Sequence, residues 1–126
     1  MKILDTNMIL RYMLDDDKES ADFVRNILVK DAVLVLPEVL AEVVYVLAKV
    51  YRVDRVGIAE SIEAFLTEPN VQTERPSVIE KGLFYYKTTS LDFVDCLLCA
   101  YQVEAGYEVC TFDKKLNKLI ARETGN

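Results

Sequence analysis

The chain has 126 residues, 52% of them hydrophobic, with only 4 Gly and 3 Pro. This length and composition predict a single domain, residues 1–126, that can bury a substantial core. The absence of His excludes Ser-His-Asp and Cys-His catalysis, imidazole general bases and all His metal ligands. A formal net charge of −6 disfavours nucleic acid as a partner, because affinity for nucleic acid comes largely from Lys and Arg.

The cysteines and the N-terminal segment indicate the compartment. Cys96, Cys99 and Cys110 are an odd number and do not suggest a disulfide framework, so we expect a reducing environment. Cys96 and Cys99 form a CxxC pair inside a predicted helix, which favours small core residues over a redox or zinc site. MKILDTN reaches a charge at Asp5 before any apolar signal region, and no later apolar run approaches membrane length. We therefore expect a soluble, cytoplasmic protein without a membrane partner.

Hydrophobic periodicity predicts alternating strands and helices along the chain. Strands are predicted at residues 2–4, 32–36, 71–73 and 109–110. Helical spacing covers residues around 8–13, 23–28, 38–51, 54–65, 76–86, 91–101 and 116–120. The apolar run AVLVL at 32–36 is typical of a parallel strand that is covered on both faces. The predicted fold is a three-layer α/β/α sandwich with a central, mainly parallel sheet of four or five strands.

Two carboxylates follow predicted strands. Asp5 comes after the first strand, and Asp113 comes after the strand at 109–110. In open α/β sheets the active crevice lies outside the carboxyl ends of the strands, so both residues are candidates for catalysis. Each has an equally simple interpretation as the N-cap of the helix that follows. Asp92 fits an N-cap better than a ligand, because its side chain can accept the free N–H groups at a helix start.

Glu42 and Asp95 lie within predicted helices beside apolar residues, where an unpaired charge is costly. Neither has a basic residue at helical spacing on its C-terminal side, so a cation is expected, with a tertiary salt bridge as the alternative. Asp and Glu oxygens suit Mg²⁺ or Mn²⁺. A pair of such ions would bring the net charge to about −2, which weakens the objection to nucleic acid. Paired ions also supply the water activation and charge stabilisation that phosphodiester hydrolysis requires.

Four segments carry a family resemblance: ILDTN, PEVLAEVVYVL, LDFVDCLLCA and CTFDKKL. In this order they resemble the PIN-domain ribonucleases, particularly the VapC-type toxins of prokaryotic toxin–antitoxin pairs, over nearly the whole chain. The resemblance implies Mg²⁺- or Mn²⁺-dependent cleavage of RNA with one or two ions, a homodimer and a small antitoxin partner. The implied catalytic and metal-binding acids are Asp5, Glu42, Asp95 and Asp113.

The resemblance also implies supporting residues. It gives Asp92 the role of an accessory metal ligand, while Thr111 resembles the hydroxyl residue of the TxD signature and Asn7 resembles the polar residue that supports the first Asp. We further hypothesise that three basic residues hold substrate phosphates, namely Arg11, Lys114 and Lys115. The ordinary alternative for these cations, and for Lys118 and Arg122 beyond them, is a solvated helix end.

Two other functions are compatible with the same residues. In a phosphoacceptor domain of the haloacid-dehalogenase or receiver type, Asp5 would form an aspartyl phosphate. Asn7 stands where the phosphatase would need a second acid, which disfavours that alternative. A catalytically silent PIN-fold interaction module would keep the fold and bind a partner, and the intact set of acids disfavours it.

Overall fold

The computed structural model describes residues 1–125, which form seven α-helices and three β-strands. Their packing divides the chain into two compact units, Met1–Glu74 and the residues from Arg75 onward, named here the N-terminal and C-terminal units. That all 126 residues form one domain stays a prediction. The elements in chain order are β1 (Lys2–Ile3), α1 (Thr6–Leu14), α2 (Lys18–Lys30), β2 (Val33–Leu34), α3 (Pro37–Lys49), α4 (Arg55–Leu66), β3 (Val71–Gln72), α5 (Pro76–Thr88), α6 (Phe93–Ala105) and α7 (Lys114–Thr124).

A short parallel sheet forms the centre of the N-terminal unit. The strand order is β1-β2-β3, and Val33 of β2 pairs with Lys2 on one side and with Val71 on the other. Val33 and Val35 are fully buried, as expected for a central strand whose two faces are both covered. The parallel arrangement and the three strands of this unit are therefore confirmed.

The strand predicted at residues 109–110 does not form, which is a correction to the predicted sheet. Gly106 ends α6 with a φ of 79°, a conformation that Gly adopts at little cost. The backbone N–H of Val109 then donates to Oε1 of Gln102 at 2.9 Å instead of to a strand. Cys110 is exposed, so the dipeptide lacks the buried character that its apolar residues suggested. Within residues 1–125 the sheet has three strands rather than four or five.

Side-chain caps and turns set the helix boundaries in the N-terminal unit. Asp54 caps α4 by accepting a hydrogen bond from Gly57 N at 3.3 Å. Asp15 ends α1 in the left-handed region with a φ of 50°, where Asp is tolerated better than most residues. Pro37 occupies the first turn of α3, where its missing N–H costs nothing. These positions agree with the boundaries that the sequence predicts.

The C-terminal unit is a helical assembly in which α5 packs closely on α6. Cys96 and Cys99 of α6 are fully buried, which confirms their interpretation as small core residues. Val94 and Leu98, whose helical spacing helps to predict this helix, are exposed, whereas Phe93 faces the core. The helix begins at Phe93 rather than at residue 91.

Gly82 sets the distance between α5 and α6. A Cβ at this position would lie 2.8 Å from Cδ2 of Leu97, and the Leu97 Cα would be only 3.6 Å away. We expect Gly82→Leu to lose about 2 kcal/mol, since overpacking outweighs the gain in helix propensity. Urea unfolding followed by circular dichroism measures the change. Glu80→Leu adds the same side chain at an exposed position of α5 and should be nearly neutral. A midpoint for Gly82→Leu equal to that of Glu80→Leu would contradict this packing.

The longest helices have 13 residues, and none within the described chain has the length and apolar character that a membrane crossing needs.

Candidate active site

Asp5 lies in the connection between β1 and α1. Its Oδ1 accepts a hydrogen bond from Met8 N at 2.9 Å, so the N-cap interpretation is confirmed. The cap occupies one carboxylate oxygen. The other oxygen, Oδ2, makes no hydrogen bond to any residue of the described chain, and the side chain is exposed. Capping and cation binding are therefore compatible at Asp5, because they use different oxygens.

Glu42 lies on α3, which contacts α1. The hydroxyl of Thr6, the residue after Asp5, donates to Oε2 of Glu42 at 2.8 Å. This hydrogen bond holds the Glu42 carboxylate beside the start of α1. Glu42 is exposed, so the expectation of a costly desolvated charge among apolar neighbours is wrong. Its position at the edge of the apolar stripe of α3 turns it toward solvent.

Thr6 is a functional candidate that the sequence did not identify. The only signal was a hydroxyl directly after Asp5 in the segment LDTN. Because Ser and Thr are common at helix starts, this hydroxyl alone does not indicate a functional site. Its partner, Glu42, is 36 residues further along the chain, and no local pattern connects the two.

Asp95 lies in the first turn of α6, not in the middle of a helix as predicted. The positive end of the helix dipole favours a carboxylate at this position. Even so, partial burial raises the pKa of Asp95, and repulsion from the carboxylates of Asp113 and Asp92 raises it further. Asp113 and Asp92 are therefore both close enough to Asp95 to repel its carboxylate.

Asp92 occupies the N-cap position of α6 with an extended backbone, but its side chain makes no cap hydrogen bond. The prediction of its position is confirmed, and the predicted cap bond is wrong. An exposed Asp92 carboxylate that is not occupied by the helix end is available to a cation. This geometry is compatible with the accessory role in metal binding that the sequence resemblance implies for Asp92.

Thr111 and Asn117 fix the backbone that leads to Asp113. The N–H of Asp113 donates to Oγ1 of Thr111 at 3.0 Å, and Nδ2 of Asn117 donates to the Thr111 carbonyl at 2.9 Å. Oδ1 of Asp113 accepts from Leu116 N at 2.8 Å, so Asp113 caps α7. As at Asp5, the cap leaves the second carboxylate oxygen without a hydrogen bond in residues 1–125.

The carboxylate oxygens of five acids have the donor chemistry that fits a divalent ion, namely those of Asp5, Glu42, Asp92, Asp95 and Asp113. No Lys or Arg of the described chain forms an ion pair with any of them, so the salt-bridge alternative is wrong. Burial raises the pKa of Asp95, the charges of Asp113 and Asp92 raise it further, and a hard cation would neutralise these charges. The side chains of residues 1–125 do not form a closed group of three or more metal-binding residues.

The other predicted residues lie at the surface. Asn7 is exposed and makes no side-chain hydrogen bond within the described residues, so it does not hydrogen-bond to Asp5. It lines a cavity of about 600 Å³ together with Arg11. Nη1 of Arg11 pairs with Asp16 at 3.2 Å, which reduces its capacity to attract phosphate. Lys114 and Lys115 are exposed and have no ion pair in the described part of the chain.

Comparison with known proteins identifies the class. Residues 2–121 match the family model of the PIN domain, and the chain belongs to this family. PIN domains have a three-layer α/β/α fold, so the predicted fold class is confirmed. Membership of this family also disfavours the phosphoacceptor alternative, which requires other folds.

A particular relative is also similar over almost the whole chain. The VapC ribonuclease of Aquifex aeolicus (strain VF5) is 28% identical over 124 residues, which cover 94% of this chain and 92% of that protein. No solved structure matches the chain significantly.

Proposed function

We propose that the chain is a divalent-metal-dependent endoribonuclease and the toxin of a toxin–antitoxin pair. The observation that carries the proposal is a set of acids with free carboxylate oxygens and no basic partner among residues 1–125. Membership of the PIN family and similarity to a VapC ribonuclease support it. The proposed catalytic and metal-binding residues are Asp5, Glu42, Asp95 and Asp113, with Asp92 as an accessory ligand.

The chain's own residues prepare these acids. Thr6 orients Glu42 by donating to Oε2, and Thr111 fixes the backbone of Asp113. The dipole of α6 favours the ionised form of Asp95. A bound Mg²⁺ or Mn²⁺ supplies charge stabilisation at the phosphate and makes water a better nucleophile. Glu42, exposed and oriented, accepts a hydrogen bond from the attacking water.

The proposal also includes the substrate, the partner protein, the oligomeric state and the extent of the domain. RNA is the substrate, and Lys114 and Lys115 hold its phosphates next to Asp113. Arg11 contributes less, because Asp16 pairs with it. A small antitoxin binds the protein, which acts as a cytoplasmic homodimer. Residues 1–126 act as one domain, since the family match at 2–121 includes residues of both units.

The test is cleavage of single-stranded RNA in the presence of Mg²⁺ or Mn²⁺. We expect cleavage that stops when EDTA is added and returns when Mn²⁺ exceeds the chelator. DNA of the same sequence, assayed in parallel, separates ribonuclease from general nuclease activity, because attack by water does not use the 2′-hydroxyl. Cleavage that persists in EDTA would overturn the proposal.

Thr6→Val removes the hydroxyl while keeping the shape of the side chain. Without its hydrogen bond Glu42 is no longer oriented. We expect cleavage to be about 10- to 100-fold slower and to need a higher Mn²⁺ concentration, as for other residues that orient metal ligands. Initial rates measured across a Mn²⁺ titration test this. Thr6→Ser keeps the hydroxyl and should retain most of the activity. Equal rates for the Val variant and the wild type would exclude a role for Thr6.

A further inference from the structure

Phe112 is the most exposed large apolar residue of the described chain, at 104% relative exposure. Its ring makes no aromatic or cation–π contact within residues 1–125. The backbone on either side is well fixed, because Asp113 N bonds to Thr111 Oγ1 and Asn117 bonds to the Thr111 carbonyl. A ring held on a fixed backbone loses little entropy when a partner covers it. Phe112 therefore offers an exposed aromatic ring on a fixed backbone next to Asp113.

A row of cations begins two residues after Asp113. Lys115, Lys118 and Arg122 lie on one face of α7 and line a groove of about 440 Å³ that also includes Ser90. Neither lysine pairs with an acid of the described chain, and Arg122 has only its neighbour Glu123, at 3.5 Å. In a chain with a net charge of −6, an unneutralised basic row is suited to an anionic partner.

The dimensions of this surface fit a polyanion. From Lys115 to Arg122 the helix rises about 10.5 Å. At about 3.4 Å per stacked nucleotide, this distance corresponds to roughly three nucleotides. An acidic peptide would satisfy the cations but has no need of an isolated aromatic ring. A second copy of the chain would cover the ring but is itself acidic.

We propose that Phe112 stacks on a base beside the scissile phosphate, while Lys115, Lys118 and Arg122 bind the flanking phosphates of single-stranded RNA. The inference rests on the proposed function and deepens it. Aromatic platforms beside a basic groove are the usual means of binding single strands. A duplex hides the faces of its bases, so the surface selects unpaired RNA.

The absence of Trp from the chain makes a direct test possible. Phe112→Trp places the only Trp at the proposed platform, and Phe84→Trp places it at an exposed position on α5. Titration with oligouridine in EDTA at low salt prevents cleavage and keeps electrostatic attraction strong. We expect quenching of the Trp at position 112 and none at position 84. An abasic ribose-phosphate oligomer should bind without quenching. Equal responses from the two reporters, or quenching by the abasic oligomer, would overturn stacking.

Affinity measurements separate the ring from the cations. Phe112→Ala should weaken oligouridine binding by about 5- to 150-fold, and Phe112→Tyr should restore it. Lys118→Ala should lower the slope of log affinity against log salt by about 0.7, the loss of one phosphate contact to a single strand. Lys49→Ala removes an exposed cation of α3 and should leave the slope unchanged. Equal slopes for the two lysine variants would contradict the phosphate contact.

Three further outcomes distinguish the alternatives. If Phe112→Ala dissociates a dimer in sedimentation and leaves RNA binding unchanged, the ring is an interface between copies of the chain and the inference fails. If the wild type cleaves RNA with Mn²⁺ but Phe112→Trp shows no quenching, only the inference fails. If the wild type binds oligouridine as described but never cleaves RNA, the stacking surface stands and the proposed activity fails.

Discussion

Asp95→Asn should reduce RNA cleavage by at least about 100-fold, the usual effect of removing one group that stabilises charge at a reacting centre. The substitution keeps the size of the side chain and its place in the first turn of α6, and it removes the charge that a divalent ion would need. Glu104→Gln removes one exposed charge from the same helix and should cleave at the wild-type rate. Equal activity of the two variants would contradict the role of Asp95.

The stability of Asp95→Asn provides an independent check. Burial and repulsion from Asp113 and Asp92 raise the pKa of Asp95 above its ordinary value of 3.8. The folded protein therefore holds the proton more tightly than the unfolded chain, and stability is lost as the pH rises above 3.8 and Asp95 ionises. At neutral pH Asn removes this cost, so the melting temperature should stay the same or rise. A clear decrease would show that the activity loss reflects misfolding.

Substitutions at Asp5 should separate its role as a helix cap from its proposed role in catalysis. Asp5→Ser keeps an N-cap acceptor for Met8 N but removes the free carboxylate oxygen, whereas Asp5→Ala removes both. We expect both variants to lose at least about 100-fold in cleavage. Only the Ala variant should lose about 1 kcal/mol of stability, the usual cost of a missing cap. Cleavage rates and urea unfolding of the same preparations measure the two effects.

Asp54 supplies the matched control for this series. It caps α4 through Gly57 N, belongs to the same unit as Asp5 and has no proposed catalytic role. Asp54→Ala should lose about 1 kcal/mol and keep its cleavage rate. If Asp54→Ala and Asp5→Ala lost activity equally, the effect at Asp5 would come from the helix cap. Full activity of Asp5→Ser would also contradict the proposed metal ligand.

Local chemistry explains which features could be predicted from sequence. The strand around Val33 follows from an apolar run, and the caps at Asp5 and Asp113 follow from an acid at a helix start. Each depends on residues a few positions apart. The burial of the α6 cysteines can be predicted for the same reason, since small apolar side chains within a helix favour close packing.

The incorrect predictions concern burial and distant contacts. Val94 and Leu98 have helical spacing, but that spacing does not show which side of α6 faces α5. Val109 and Cys110 are apolar enough for a strand, yet the Gln102 side chain takes the N–H of Val109. Glu42 is exposed and bonded to Thr6 rather than desolvated. All three depend on partners that only the folded chain brings into place.

Calorimetric titration with Mn²⁺ tests the central claim most directly, because it reports the cation without requiring the correct RNA. We expect saturable binding by the wild type and by Glu104→Gln, and binding weakened at least about 10- to 100-fold in Asp95→Asn. Absence of Mn²⁺ binding by the wild type would contradict the account and favour a catalytically silent interaction module. Unchanged binding by Asp95→Asn would place the ion elsewhere.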